Sequence, residues 1–163
     1  MNDPTSSSVD LPELNDPVVV VAFEGWNDAG DAATGAVEHL ELIWDATPLA
    51  ALDPEDYYDF QVNRPTVSLV DGVSRRVEWP TTRVSVARPK DSARDIVLIR
   101  GIEPNMRWRG FCDELIELCQ ELGVGTVVAL GAKLHYVDQL LSRHWKYPVR
   151  EPFAAKPGEV FLD

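Results

Sequence analysis

Val18-Val19-Val20-Val21-Ala22-Phe23, followed by Glu24-Gly25-Trp26-Asn27-Asp28-Ala29-Gly30-Asp31, is the stretch that decides the fold. An apolar, mostly β-branched run without polar alternation has the pattern of a strand covered on both faces in a largely parallel sheet. Gly25 then supplies a turn and Asn27 or Asp28 can cap a helix. Ala29, Ala32, Ala33, Ala36, Val37, Leu40, Ile43 and Trp44 recur at three- and four-residue spacing, which predicts an amphipathic helix. Asp28 and Asp31 in its first turn complement the helix dipole. Gly35 in its interior costs about 1 kcal/mol relative to Ala, which implies close packing of the helix onto the sheet.

Two more apolar segments extend this β-α unit. Ile96-Val97-Leu98-Ile99 reads as a second buried strand ending at Arg100-Gly101, and Pro104 stands where a helix can begin. Trp108, Phe111, Cys112, Leu115, Leu118, Cys119 and Leu122 mark the face of that helix, with Gly123 placed just past its end. Thr126-Val127-Val128-Ala129-Leu130 repeats the buried-strand pattern after a short connection, so Ile96 to Leu130 reads as a βαβ unit. The intervening chain differs. Phe60 and Val62, Val67 and Leu69, then Asp71-Gly72, then Val73, Val77 and Trp79 read as short strands with a hairpin turn. Val84 and Val86 alternate with Arg83, Ser85 and Arg88, as in a strand with one wet face at the sheet edge or in a hairpin extension. The expected fold class is α/β: a three-layer α/β/α sandwich with a mainly parallel sheet and an antiparallel hairpin extension.

The 163 residues allow one sizeable core, and 45% hydrophobic with 26% charged residues is ordinary globular usage. Three segments are expected: a disordered, serine-containing leader over 1–16, an α/β domain over 17–132, and a divergent tail over 133–163. The last is read as a short helix around Leu134 to Leu141 and then an irregular, proline-rich remainder. Residues 1–132 carry 23 acidic and 10 basic side chains and residues 133–163 carry 4 and 5, an abrupt change of charge. The net charge of −12 repels phosphate backbones and anionic lipid, so neither nucleic acid nor membrane is an expected partner. No apolar run approaches a membrane span and no signal peptide is legible, which places the chain in the cytoplasm. Cys112 and Cys119 would lie roughly 10 Å apart along one helix, too far to bridge, and read as reduced core residues.

Chemistry, if present, belongs at the carboxyl ends of the parallel strands, where open α/β sheets place ligands. Two loops qualify. The first offers Glu24, Trp26, Asn27, Asp28 and Asp31, whose carboxylates could hold a divalent metal or act as acid and base, or simply cap a helix. The second offers Arg100, Glu103, Asn105, Arg107 and Trp108; its arginines, with Arg109, could neutralise the acids of the first loop or grip an anion. The glycine spacing fits neither the dinucleotide nor the P-loop fingerprint. The cysteines fall on an apolar stripe and the histidines lack ligand spacing, so no catalytic residue, metal site or cofactor is assigned. Trp26, Trp79 and Trp108 lie near loops, where they either anchor a partner or close the core.

The strand Val18 to Phe23, the Gly25-Trp26-Asn27-Asp28-Ala29-Gly30 run, the Glu103-Pro104-Asn105-Met106-Arg107-Trp108 run and Val127 to Ala132 together resemble the proteasome assembly chaperone 2 family, in the form seen in actinobacteria. The resemblance covers residues 17–132 and stops at Lys133. It implies a sandwich similar to nucleoside phosphorylases and hydrolases, a homo-oligomeric state, and binding to proteasome core subunits during assembly; it brings no catalytic residue set. Family members usually continue with further strands and helices, so the domain reads as truncated, with sheet edges and helix faces uncovered. The expected function is that of a non-catalytic protein-binding protein. The residues leave two alternatives open: a nucleoside-type hydrolase or ligase using Glu24, Asp28 and Asp31, and a nonfunctional fragment.

Overall fold

The computed structural model describes residues 11–132. The chain runs β1 (Val18–Glu24), a 3-10 turn (Ala29–Asp31), α1 (Ala32–Ile43), β2 (Thr47–Ala51), α2 (Pro54–Tyr57), β3 (Thr66–Val70) and β4 (Ser74–Glu78). It continues through β5 (Arg83–Ala87), β6 (Ile96–Ile102), α3 (Trp108–Glu121) and β7 (Thr126–Ala129). Five strands form one sheet in the order β2-β5-β6-β1-β7, and β3 and β4 form a two-stranded sheet of their own. β1 lies parallel to both β6 and β7, with Val18 opposite Ile96 on one side and Thr126 on the other. β5 and β2 add on antiparallel. The three apolar segments thus share one sheet, as their sequence pattern predicts.

Burial on both faces follows from the strand period of two. Val19, Val21, Val97 and Ile99 point to one side, where Leu115, Leu118 and Cys119 of α3 and Leu122 cover them. Ala22 and Leu98 point to the other side and meet Ala33, Val37 and Leu40 of α1. Helix, sheet and helix make three layers. A third cluster of Leu52, Tyr57, Tyr58 and Phe111 packs α2 against α3. Gly123, at φ +70°, ends α3 in a Schellman motif: its N–H donates to Gln120 O at 3.0 Å and Val124 N–H donates to Cys119 O at 2.9 Å.

Several elements depart from the sequence pattern for identifiable reasons. Val84 and Val86 belong to an inner strand; Ser85 is buried rather than wet because Glu41 of α1 accepts its hydroxyl hydrogen at 2.9 Å. Phe60 and Val62 lie in a turn, since Asp59 O accepts from both Val62 N–H and Asn63 N–H. β2 carries no clear strand signal, and its Pro48 is tolerated because β2 is an edge strand with a register irregularity there. Gly35 faces open space, so close packing does not explain it. All four residues of β7 are exposed, unlike those of a doubly covered strand, and Cys112 is exposed while Cys119 is half-buried.

Leu11 and Leu14 pack against the α3-side core, and Arg94 pairs with Asp16 at 2.8 Å. Part of the segment read as a leader is therefore packed. Residues 1–10 and the tail, with its expected short helix, lie outside the described residues. Among the described residues no helix is long and apolar enough to cross a membrane.

Candidate functional site

β1 and β6 end side by side, Glu24 opposite Ile102, and Glu103 N–H donates to Glu24 O at 3.0 Å. The two candidate loops therefore leave one rim. The first turns at Gly25, whose φ of +150° suits glycine and whose missing Cβ would lie 2.6 Å from Glu103 Cδ. Asp28 is buried and turned inward. Its carboxylate accepts from Ala33 N–H at 2.6 Å, Thr34 N–H at 3.2 Å and the Thr34 hydroxyl. These are donors that the first turn of α1 leaves free. Burial opposes the charge on Asp28, but the Thr34 hydroxyl and the two N–H groups outweigh it and hold its pKa below the ordinary value. Asp28 is the helix cap that the sequence allowed, and its oxygens are already engaged.

The remaining loop residues point elsewhere. Asn27 O accepts from Ala132 N–H at 2.7 Å, and Ala29 N–H donates to Ala132 O at 3.0 Å, tying the loop to the segment after β7. Asp31, at φ +55°, stands before α1 with its side chain making no cap hydrogen bond. Trp26 is 97% exposed. Glu24 is raised above the ordinary carboxylate range by partial burial and by the charges of Asp31, Asp28 and Glu38, against the opposing pull of Arg100. It borders a recess of about 70 Å³ with Arg83, Arg100 and Trp79. Among the described residues no group of three His, Cys, Asp or Glu side chains is placed to hold a metal ion.

The arginines of the second loop find other partners than Glu24, Asp28 and Asp31. Arg100 reaches α1, bonding Glu41 through Nε at 3.3 Å and Nη2 at 3.1 Å, with Glu38 at 3.7 Å. Arg107 pairs with Asp56 and stacks over the Tyr57 ring at 5.7 Å. Asn105 and Met106 donate their N–H groups to Tyr57 O, while Asn105 Oδ1 accepts from Asp59 N–H. Tyr57 donates its hydroxyl to Glu114, and burial plus that carboxylate push it up to about 12. Trp108 opens α3, half exposed. The second loop is thus docked on α2, an element absent from the sequence reading. Asp53-Pro54-Glu55-Asp56 carries the signal for it: a capping Asp, Pro at the first helical position and acids in the first turn.

A five-stranded sheet between two helices, with a capped and anchored loop at its strand ends, defines a three-layer α/β protein. The PAC2 family model matches residues 22–150, past the Ala132 at which the sequence resemblance ends, and the chain belongs to the PAC2 family. It is similar to a PAC2 family protein from Streptomyces avermitilis at 63% identity and a TM-score of 0.69, over 73% of this chain and 51% of that one. A proteasome-assembly chaperone homologue from Mycobacterium tuberculosis is 59% identical with a TM-score of 0.67, over 71% and 49%. A protein of unknown function from Mycobacterium tuberculosis is 27% identical with a TM-score of 0.64, over 74% and 44%. The chain spans about half the length of these solved structures. No curated protein matches it significantly.

Proposed function

We propose that the chain is a non-catalytic, protein-binding member of its family, acting in the cytoplasm of an actinobacterium as a homo-oligomer and engaging proteasome core subunits. Trp26 carries the reading. A tryptophan that is almost wholly exposed, on a loop tied down at Asp28 and Ala132, presents a large contact area at small entropic cost. The mycobacterial relative described as a proteasome-assembly chaperone homologue supports the choice of partner. The engagement of Asp28 with α1 removes one of the three carboxylates that a strand-end enzyme would use.

The test is direct binding of the full chain to purified actinobacterial core-particle α and β subunits. Saturable binding is expected, and Trp26→Ala should weaken it at least about tenfold, as for an interface anchor. Failure to bind either subunit overturns the reading of the partner. Binding indifferent to Trp26→Ala overturns the role of the loop.

A further inference from the structure

The β3–β4 hairpin exposes more apolar side chain than a free hairpin should. Its register sets Val67 opposite Val77 and Leu69 opposite Arg75, so these four share one face. Val67 is 63% exposed, Leu69 64% and Val77 50%, and Val73 at the turn reaches 86%. A two-stranded hairpin is marginal in water unless something covers it. Arg75, on this face, has no carboxylate within ion-pair distance among the described residues, in a chain of net charge −12.

A surface of opposite character lies between β2 and α3. It is a groove of about 530 Å³ with Ala50, Leu52 and Leu118 in its apolar part and Glu114, Glu117 and Glu121 along its helical wall. Among the described residues no basic side chain lines it. We propose that this groove receives the apolar face of the β3–β4 hairpin of a second copy, with Arg75 of one protomer beside Glu117 and Glu121 of the other. The net charges of two copies repel, but a Debye length of about 8 Å at physiological salt leaves local complementarity in control. Because donor and acceptor surfaces differ, the contact either reciprocates in a two-fold pair or closes a ring. This assignment rests on the homo-oligomeric reading above and gives it surfaces.

Sedimentation velocity of the full chain over a concentration series tests it. Reversible association is expected. Arg75→Glu should raise the dissociation constant at least about tenfold, as should Glu117→Arg with Glu121→Arg, and combining the three should recover most of the loss. Leu69→Ser, which leaves the charge unchanged, stands in for any charge variant whose circular dichroism shows misfolding and should weaken association likewise. A monomer at every concentration overturns both the proposal and the homo-oligomeric reading. An oligomer that ignores both reversals, or a combined variant without recovery, overturns these surfaces alone.

Discussion

The rim loop from Glu24 to Asp31 and the hairpin from Thr66 to Glu78 both hold large apolar side chains in water, yet they are held in opposite ways. The rim loop is tied to three neighbours: Asp28 to the first turn of α1, Asn27 and Ala29 to Ala132, and Glu24 to Glu103. The hairpin is tied chiefly to itself through its own ladder, with Trp79 beyond its end meeting Phe60 at 4.9 Å between ring centroids. Position explains the contrast. A loop leaving the middle of a parallel sheet has adjacent strand ends and a helix terminus within reach, whereas a projecting hairpin has only its partner strand. Substitutions at the rim should therefore register in stability, and substitutions on the hairpin in association.

The largest effect is expected just beneath the rim. Gly101 sits where β6 passes β5 so closely that a Cβ would lie 2.7 Å from the Cα of fully buried Thr82. Gly101→Ala must push two backbones apart, and overpacking of this kind costs about 3 kcal/mol. The urea midpoint should fall accordingly; an unchanged midpoint would mean that β5 and β6 yield easily and that the rim is not rigid.

Asp28 comes next. Asp28→Ala removes the acceptor for three donors at the start of α1 and should cost roughly 2 kcal/mol, with Asp28→Asn costing less. The same contacts depress its folded pKa below that of an ordinary aspartate. The unfolded state thus binds the proton more readily. The stabilisation by Asp28 is complete above the unfolded value and is lost as pH falls through the folded one. Urea titrations from pH 6 down to about pH 2 should show the native chain losing stability that Asp28→Ala has already lost, so the two curves converge in acid. Parallel curves would separate the cap from the charge.

How much of this was legible depends on whether a segment's pattern is set by its own neighbours or by distant ones. Val18 to Phe23, Ile96 to Ile99 and Gly123 declare themselves because burial on two faces and a left-handed helix end leave local marks in the chain. Ser85 looks wet by alternation, and only the approach of Glu41, far away in sequence, dries it. β7 has the composition of a covered strand but is exposed throughout the described fold. At the rim, a loop between strand and helix allows Asp28 to cap, as it does. It leaves Trp26 equally able to anchor a partner or close the core, and only the fold shows it exposed. The partners of Arg100 and Arg107 do not follow from the loops, because they lie on α1 and on α2, and the pairing is fixed by tertiary packing.

The smallest effect on stability sharpens the comparison most. Leu69 lies on the apolar hairpin face, 64% exposed, and loses little burial when replaced. In dilute solution, where copies are apart, Leu69→Ser should shift the unfolding free energy by no more than about 0.5 kcal/mol, the ordinary range for a surface site. At high protein concentration the native chain should gain stability by mass action, since association draws on the folded state, and the Leu69→Ser variant should gain less. A loss of more than about 1 kcal/mol in the dilute limit would show that the hairpin packs on its own chain, erasing the distinction from the rim loop. Equal gains with concentration would leave the exposed face without a role in association. The difference between the two concentration regimes, rather than either value alone, separates a surface that holds the fold from one that holds a neighbour.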